Sequence, residues 1–517
     1  MDLPSDWCVA TVAEIAEPLR YGYTASANPE ADGPRMLRIT DIQNGQVQWS
    51  CVPRCKIAPQ RRDQYLLSPG DIAFARTGGT VGKSFLIREV PEPAVFASYL
   101  IKVASATGVE ARYLYWFFQS LNYWGQIALR KGGLQGNVNA KTLGAIELPF
   151  APTNEQRRIA MRIEALFDEI DRGVESLQDT KRAIGLYRQS LLKSAFEGRL
   201  TAQWRAENAD KLESRDECYS RAERERNEWY RVAEDEWTHE VDVWRSAGAK
   251  GPKPRRPERS SPSVALMPEE LAAMPEIPDE WMYLRLRDMA AVGSGMSVSK
   301  ARKLKAPVDI PYLRVANVQR GFLDLGEVKT MKVEMSQVPS LLLRRCDVLF
   351  NEGGDRDKLG RGWVWECQIP QCITQNHVFR ASPFRHDLDW SKYISWWSNS
   401  FGRDYFDTGG KQTTNLASIN KAVLKDLPVP YCSPAEQAEI VRILDERFEA
   451  VDTLNAEVTA NLARAEALRR SILKQAFSGK LVPQDPDDEP ATVLLQRIRA
   501  KNASQEQKRR RPGARRR

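Results

Sequence analysis

Two long segments of the chain carry an apolar side chain at every seventh position. The first series starts at Ile163 and the second at Leu444, and each continues through four further steps. A seven-residue apolar repeat winds helices into a left-handed coiled coil, because one apolar stripe must pack against another. We therefore predict two helices that pair antiparallel with each other. Their predicted seam consists of Ile163, Ile170, Leu177, Ile184, Leu191, Leu444, Val451, Val458, Ala465 and Ile472.

The segments before these helices have a shorter pattern that is typical of mixed structure. Residues 36–42 and 71–76 predict strands, and an Asn-Gly turn follows the first of them. The aromatic-rich residues 113–118 and 394–397 predict helices packed under a sheet. We therefore expect an α+β fold.

The whole pattern occurs twice along the chain, in the same order. The recurring segments, each with its counterpart, are 4–7 with 278–281, 37–45 with 313–321, 70–74 with 346–350, 155–156 with 436–437, and 191–200 with 472–481. Chance similarity would not keep this order over so long a stretch. We therefore predict two repeated α+β domains separated by two long antiparallel coiled-coil helices, with pseudo-twofold symmetry.

The repeat divides the chain into successive segments. They are a first mixed domain (1–152), a first helical region (153–200), a helical insert with a Pro- and Arg-rich linker (201–275), a second mixed domain (276–432), a second helical region (433–482) and a basic tail (483–517). The insert is charged and helix-prone, so we expect it to extend the first coil or to dock on a partner. We expect the arginine-rich tail to be disordered, with a non-specific hold on phosphates.

The overall charge favours an anionic partner. The 517 residues carry a formal net charge of +8, and the pI is about 9.0. The sequence starts without a signal peptide and has no apolar run that could cross a bilayer, so we expect no membrane association and a cytoplasmic location. Eight cysteines and three histidines are scattered at loose spacings, from which we expect reduced thiols and no metal site.

The ordered motifs resemble those of one protein family. Each copy opens with Pro-x-x-Trp, continues through a Leu-Arg strand and an Asp-Ile or Asp-Val strand, and has Glu-Gln before a long helix that closes on Ala-Phe-x-Gly-x-Leu. The first copy also has an Arg-Thr-Gly-Gly-Thr-Val-Gly-Lys loop. In this duplicated order the motifs resemble the specificity subunits of type I restriction-modification enzymes. The resemblance covers almost the whole chain except the insert and the tail.

That resemblance implies a DNA-binding protein without a catalytic site of its own. Each mixed domain would be a target-recognition domain that reads one half of a split site on double-stranded DNA. The helices would set the spacer and dock two methyltransferase subunits, and restriction subunits would join them. The sequence has no Asn/Asp-Pro-Pro-Tyr/Phe methylation motif and no convincing nuclease strand. We therefore expect S-adenosylmethionine, ATP and Mg on the partner subunits and no cofactor in this chain.

The two copies differ where DNA contacts are expected. Cys346 stands where the first copy has a glycine, and residues 351–355 replace the loop at 76–80. Divergent readers predict an asymmetric, two-part site. A coil of about 30 residues spans about 45 Å at 1.5 Å per residue, enough to separate half-sites about 34 Å apart.

Glycine-rich loops supply the candidate DNA contacts. Residues 78–84 look like a phosphate-cradling loop but have one residue too few before Gly-Lys-Ser, so we interpret them as a hairpin tip, with or without contact to the DNA backbone. Residues 131–139 and 409–415 carry Gln or Asn, which can read adenine edges or can cap the sheet locally. The candidates are Arg76, Thr77, Lys83, Lys131, Gln135, Asn137, Asn139, Asn351, Arg356, Lys358, Arg361, Lys411, Gln412, Thr413 and Asn415.

Two other functions stay open at this point. The first is a nucleotide hydrolase that uses the glycine-rich loop, although that loop does not recur intact in the second copy. The second is a coiled-coil scaffold without DNA specificity, which accounts for the helices but not for two divergent domains on similar frames.

Overall fold

The computed structural model describes residues 3–43, 45–130, 136–249, 253–257, 259, 265–298, 304–354, 358–409, 411–412 and 417–510. Contacts divide the chain into two units. The first consists of residues 1–180 and 457–517, and the second of residues 181–456. Each unit therefore contains one mixed domain and parts of both long helices.

The first mixed domain is built on short strands. Its strands are β1 (Cys8–Thr11), β2 (Arg20–Tyr21), β3 (Arg35–Leu37), β4 (Ile42–Gln43), β5 (Gln46–Val47), β6 (Ile72–Ala75), β7 (Ser84–Leu86), β8 (Ala94–Phe96), β9 (Leu100–Val103) and β10 (Glu147–Phe150). Its helices are α1 (Val12–Ile15), α2 (Pro59–Arg62), α3 (Ala111–Phe117), α4 (Leu121–Arg130) and α5 (Ala140–Gly144). The largest sheet is antiparallel with the order β2-β9-β6-β7, while β1 pairs with β10 and β3 pairs in parallel with β8. Tyr113, Phe117 and Tyr123 of α3 and α4 are buried in one core with Ile72 and Ile101 of this sheet.

The strand predicted over residues 36–42 is interrupted. After β3, residues Ile39–Asp41 form a turn of 3-10 helix, because the Asp41 carboxylate accepts the Arg38 N–H at 2.8 Å. In the second copy Asn317 accepts the Arg314 N–H at 3.0 Å in the same way. A side chain that takes a backbone donor three residues back competes with the sheet ladder. The repeated Asp or Asn therefore ends the strand in both domains.

The first long helix and the insert follow this domain. Their helices are α6 (Thr153–Phe196), α7 (Ala202–Glu207), α8 (Arg215–Ser246) and α9 (Pro268–Ala272). Gly198 has a φ of 71°, the left-handed conformation that commonly ends a helix, so the insert does not continue α6. Cys218 and Ala222 of α8 instead lie in the core of the second mixed domain. The insert therefore docks on a domain of its own chain, and the expectation that it extends the coil is wrong.

The second mixed domain repeats the plan of the first. Its strands are β11 (Met282–Arg285), β12 (Ala290–Ser294), β13 (Pro307–Leu313), β14 (Lys329–Glu334), β15 (Val348–Asn351), β16 (Gly353–Gly354), β17 (Gly362–Val364), β18 (Ile373–Thr374), β19 (Val378–Pro383), β20 (Lys411–Gln412), β21 (Ala417–Ser418) and β22 (Pro428–Tyr431). Its helices are α10 (Val338–Leu341), α11 (Leu388–Asn399), α12 (Gly402–Gly409) and α13 (Lys421–Lys425). The sheet β12-β19-β15-β17 corresponds to β2-β9-β6-β7, and the pairs β11–β22 and β13–β18 correspond to β1–β10 and β3–β8. Trp390, Tyr393 and Trp397 of α11 lie in its core.

Two further helices follow the second domain, α14 (Pro434–Ala476) and α15 (Ala491–Arg510). The expectation of a disordered tail is wrong for α15. Leu494, Leu495 and Ile498 lie on one face of this helix and join the core of the first mixed domain. Most of the terminal arginine run, residues 511–517, lies outside the described residues.

In the first unit the two long helices run antiparallel. Glu155, at the start of α6, accepts a hydrogen bond at 2.7 Å from Gln484, which follows the end of α14. Asp171, further along α6, pairs with Arg469 inside α14. The partner number falls as the number along α6 rises, which is the mark of antiparallel packing.

The second unit shows the same direction of pairing. Arg188 of α6 pairs with Asp452 of α14. Thr201, just beyond α6, donates to Glu436 at the start of α14 at 2.7 Å. The predicted antiparallel pairing of the two long helices is therefore confirmed in each unit.

The predicted seam is shielded from solvent along both helices. Its buried members are Ile163, Ile184, Leu191, Leu444, Val451, Val458 and Ile472, and its half-buried members are Ile170, Leu177 and Ala465. Each unit adds a stacked pair: the Arg469 guanidinium lies 5.0 Å from the Phe167 ring centre, and that of Arg188 lies 5.2 Å from Phe448. Apolar seam and cation–π contacts together hold the helix pair.

The repeated Trp and Glu residues join each mixed domain to a long helix. The Trp7 indole N–H donates to the Glu155 carboxylate at 2.8 Å, and the Trp281 indole donates to Glu436 at 2.9 Å. All four side chains are buried. Burial raises the pKa of Glu155 above its ordinary value, although the Trp7 and Gln484 hydrogen bonds oppose that shift.

The repeated Pro and Gly residues complete the same junction. Gly479 has a φ of 69° at the end of α14, and a Cβ placed on it would lie 2.3 Å from Pro4 Cγ. A Cβ on Gly198 would lie 2.3 Å from Pro278 Cγ in the second unit. Each glycine therefore ends a helix and lets the proline of the Pro-x-x-Trp motif approach.

Candidate nucleic-acid interface

The two glycine-rich loops of the first domain meet at Arg76, directly after β6. The Arg76 N–H donates to the Tyr99 carbonyl at 3.1 Å, and the Arg76 carbonyl accepts from the Val138 N–H at 2.9 Å. We call Tyr21, Arg76, Tyr99 and Val138 the first corner. Tyr99 is 63% exposed and Tyr21 is 40% exposed, so this corner is open to solvent.

The Arg76 side chain is held by stacking. Its guanidinium carbon lies 4.7 Å from the centre of the Tyr21 ring. The Tyr21 hydroxyl in turn accepts the Ala140 N–H at 2.8 Å. A guanidinium on an aromatic face keeps its in-plane N–H donors available for a planar acceptor. The first corner therefore presents a fixed, cationic hydrogen-bond donor.

The loop after Arg76 is a hairpin tip. Thr77 is half-buried, Gly78–Thr80 form a 3-10 turn, and Lys83 is exposed. The chain then enters β7, whereas a phosphate-cradling loop of the nucleotide-binding kind leads into a helix N-terminus. The geometry of this loop therefore favours the hairpin interpretation over a nucleotide site.

The second loop of the first domain begins beyond the described residues. Lys131 and Gln135 lie outside them. Asn137 is exposed, as is Asn139. The Asn139 side-chain oxygen accepts the Thr142 N–H at 2.8 Å and caps α5, so this oxygen serves the local fold. Asn420 caps α13 in the second domain in the same way.

The second domain forms an equivalent corner around Glu352. The Glu352 N–H donates to the His377 carbonyl at 3.0 Å, and the Glu352 carbonyl accepts from the Ile419 N–H at 2.8 Å. We call Glu352, His377 and Ile419 the second corner. The His377 Nδ1 lies 2.7 Å from Glu352 Oε2, and its Nε2 lies 3.2 Å from the Asn376 amide nitrogen. The second corner therefore presents a carboxylate where the first has a guanidinium.

One predicted DNA contact is wrong. Asn351 is fully buried, and its amide nitrogen donates to the Val318 carbonyl at 2.9 Å and to the Val315 carbonyl at 3.3 Å. All four residues of β15 are buried, so both faces of this strand are covered and Asn351 has no solvent-facing side. Asn351 therefore ties β15 to the loop that carries Val315 and Val318, and its side chain is not available to DNA.

The remaining candidates of the second domain are only partly described. Lys358 and Arg361 are half-buried near the hairpin tip. Arg356, Thr413 and Asn415 lie outside the described residues. For Lys411 and Gln412 only the backbone is described, as β20 paired with β21. Gly353 and Gly354, which follow the second corner residue Glu352, also pair with β21.

Sequence reasoning missed six residues of the corners: Tyr21, Tyr99, Val138, Glu352, His377 and Ile419. Glu352 could have been found, since the counterpart of residues 70–74 is 346–350 and the same spacing places Glu352 against Arg76. Tyr21, Tyr99 and His377 reach the corners through tertiary contacts, for which the repeat gave no signal.

Other types of site find little support in the described part of the chain. Across those ranges, no three His, Cys, Asp or Glu side chains are grouped so that they could hold a metal ion. The cysteines are free thiols. Among the helices described, none has the length and apolar character needed to cross a bilayer.

Comparison with a protein-family model gives a match to both mixed domains. The model describes the type I restriction modification DNA specificity domain, and it matches residues 4–176 and 278–464. The two matches include the first part of each long helix, in keeping with the repeat.

Curated relatives match over nearly the full length. The chain is 23% identical over 524 residues to the EcoKI type I restriction enzyme specificity subunit of Escherichia coli strain K12, covering 97% of each chain. It is 22% identical over 522 residues to the StySPI specificity subunit of Salmonella potsdam, covering 97% of this chain and 96% of the other. A solved chain from work on complex assembly and conformational transition of the type I R-M system has a TM-score of 0.61 at 15% identity, over 93% of this chain and 100% of that chain. The two chains therefore share a fold.

Proposed function

This chain belongs to the type I restriction-modification DNA specificity family, and on that basis we propose that it selects the DNA sequence for a type I restriction-modification complex. In this role the chain supplies recognition and no catalytic group. Methyl transfer and cleavage fall to partner subunits in the cytoplasm, which hold the S-adenosylmethionine, ATP and Mg that those reactions use.

The observation that carries this proposal is the pair of corners. Both are built on the same backbone hydrogen bonds, yet Glu352 stands in the place of Arg76 and His377 in the place of Tyr99. Equal frames with different exposed side chains suit two readers of different half-sites, since identical readers would read a palindrome. We therefore propose an asymmetric, two-part target on double-stranded DNA.

Around each corner, basic side chains would hold phosphates and amides would reach base edges. Lys83 is exposed at the hairpin tip, and Asn137 is exposed next to Val138 of the first corner. The other contacts that we assign to DNA are Thr77, Lys131 and Gln135 in the first domain and Arg356, Lys358, Arg361, Lys411, Gln412, Thr413 and Asn415 in the second.

The long helices would set the distance between the two readers and dock two methyltransferase subunits, with restriction subunits joining that core. The length of the helices supports the docking role, since α6 has 44 residues and α14 has 43. Their exposed apolar side chains are separate from one another along the sequence and include Met161 at 56%, Leu186 at 68% and Leu468 at 50% exposure.

A domain exchange tests the division of labour. Residues 1–152 are replaced by the first domain of another family member, and the complex with its methyltransferase subunits methylates a pool of randomised DNA. We expect one half-site to change and the other to stay, because each domain reads alone. A chimera that changes both halves contradicts the proposal.

A change of helix length tests the spacer. Adding one turn of about four residues to both α6 and α14 lengthens the strut by about 5.4 Å, or one to two base-pair steps. We expect the same half-sites with a longer spacer. If the unaltered complex shows no sequence preference on the pool, the chain acts as a scaffold without DNA specificity.

A further inference from the structure

We propose that the central side chain of each corner chooses the base that its domain reads: Glu352 selects a cytosine in the second half-site, and Arg76 selects a guanine in the first. The inference rests on the proposed function, since it assigns a base preference to the same surface.

Glu352 and Arg76 occupy the same place in the two domains. Glu352 directly follows β15 and Arg76 directly follows β6, and each of these strands is an inner strand of its four-stranded sheet. In each domain, the backbone N–H donates to the carbonyl of the residue just before the neighbouring strand, β9 or β19. The backbone carbonyl accepts from Val138 in the first domain and from Ile419 in the second. The distances are 3.1 and 2.9 Å in the first domain and 3.0 and 2.8 Å in the second. The exchange of Arg for Glu therefore reverses the charge on a fixed frame.

A carboxylate on a DNA-facing surface cannot serve as a backbone clamp. It repels phosphates, and His377 contacts only one of its two oxygens, so burying the carboxylate against DNA without a further donor costs free energy. A base edge that donates resolves both problems. The major-groove edge of cytosine itself carries only the N4 amine donor, whereas the edge of adenine carries the N7 acceptor beside its N6 amine. Glu352 therefore fits cytosine better than any other base.

His377 directs that carboxylate. Its Nδ1 lies 2.7 Å from Glu352 Oε2, and 56% of its side chain is exposed against 29% for Glu352. The imidazole therefore restricts the rotation of the carboxylate from the solvent side. We assign His377 a positioning role, because its contact is with Glu352.

Arg76 has the complementary chemistry. A guanidinium offers two parallel N–H donors, which match guanine O6 and N7 and no other major-groove edge as well. The Tyr21 ring, 4.7 Å from the guanidinium carbon, holds its plane. One corner thus reads acceptors and the other reads a donor, which by itself makes the target asymmetric.

The experiment uses the full chain with its methyltransferase subunits on randomised DNA, with the methylated molecules sequenced. For Glu352→Gln we expect the preference for cytosine at one position of the second half-site to fall on the order of tenfold. The first half-site stays unchanged. For Arg76→Gln we expect the mirror result, a loss of guanine preference in the first half-site alone.

Two comparisons separate base reading from general damage. Glu366→Gln removes an exposed carboxylate that lies beyond β17 in the same domain, and we expect no change of preference. His377→Asn keeps an N–H donor toward Glu352 and should retain the cytosine preference, whereas His377→Phe should weaken it.

The outcomes distinguish the two proposals. If the wild-type complex is selective and Glu352→Gln keeps its preference at every position, this inference is overturned and the proposed function stands. If the wild-type complex has no preference, the proposed function falls and the inference falls with it. If the Glu352 variant fails to assemble, the Arg76 variant decides: an unchanged first half-site overturns the inference.

Discussion

Two neighbouring residues at the end of β15 have different roles, one in the core and one in the second corner. Asn351 is buried and bonds to the Val318 carbonyl, while Glu352 beside it is part of the second corner. The strand β15 is buried on both faces and ends at Asn351, so Glu352 is the first residue of this segment with a partly exposed side chain. In the first unit, the buried Trp7–Glu155 pair builds the domain junction, whereas the half-buried Arg76 stacks on Tyr21 in the first corner.

Glu155 is expected to tie the stability of the first unit to pH. Burial raises its pKa above the ordinary 4.5, so the folded chain holds this proton more tightly than the unfolded chain. Its contribution to stability is therefore fully present below pH 4.5 and is lost as pH rises through the folded-state pKa. Trp7→Phe removes a donor to the carboxylate, which should cost about 1–3 kcal/mol and steepen that loss. Thermal unfolding between about pH 4 and 8 measures both effects.

Two substitutions serve as references for this measurement. Glu155→Gln removes the titration and should flatten the pH dependence over the same range. Glu17→Gln alters an exposed carboxylate of the same domain and should change nothing. A wild-type profile as flat as that of Glu155→Gln would contradict the expectation.

At the scale of elements, α15 is part of the first mixed domain although it comes last in the chain. The Ala491 N–H donates to the Asp6 carbonyl at 2.9 Å, and Arg499 pairs with Glu14 at 2.6 Å. Leu495 and Ile498 are buried in the domain core. This helix therefore adds apolar packing as well as surface contacts to the domain.

Truncating Leu495 tests how much α15 contributes. Leu495→Ala leaves a cavity in the core of the first domain and should lower its free energy of unfolding by about 2–5 kcal/mol. Val493→Ala, on the same helix but 41% exposed, should stay within about 0.5 kcal/mol of wild type. Denaturant unfolding followed through the tryptophans compares the two, and equal effects would show that α15 is not part of the core.

At the scale of the whole molecule, the positive net charge favours binding to DNA. The formal net charge of +8 attracts a polyanion before any base is read. Binding that depends on phosphates weakens as salt rises, because each neutralised phosphate releases counterions. Affinity and selectivity are therefore expected to respond differently to the loss of a cationic side chain.

Lys83→Ala separates these two responses. We expect weaker binding of the complex on target and non-target DNA alike, with the slope of log affinity against log salt reduced by about one. Arg497→Ala, whose guanidinium pairs with Glu489 at 2.5 Å, should leave the slope unchanged. Fluorescence anisotropy over a salt series gives the slopes; a variant that loses only target binding would assign Lys83 to base reading instead.

The regular features of this fold could be predicted and the irregular ones could not. A heptad repeat and a duplicated motif order are long-range patterns, so the coil and the two domains follow from them. The short apolar face of Leu494, Leu495 and Ile498 was hidden in an arginine-rich tail. The docking surface of α8 was also hidden, because an amphipathic helix does not reveal which surface it covers.

The candidate site was predictable only as a pair of loops. Glycine-rich composition marked the segments that converge on Arg76, but not the side chains that complete the corner. Tyr99 lies just before β9 and His377 just before β19. Both reach their corners through contacts between distant parts of the chain. The apolar run of β15 ends at Phe350, so the sequence did not reveal that the buried strand continues through the polar Asn351.

The core of the first domain draws on both ends of the polypeptide, from Trp7 to Ile498, whereas residues 181–456 form an uninterrupted unit. The ribosome synthesises the amino end first, so the core of the first domain stays incomplete until α15 has been made. The second domain can complete its core before that point. Release of α15 from the exit tunnel is then the event that finishes folding. A nascent chain that stops before Ile498 would carry one finished reader and one that proteases can attack.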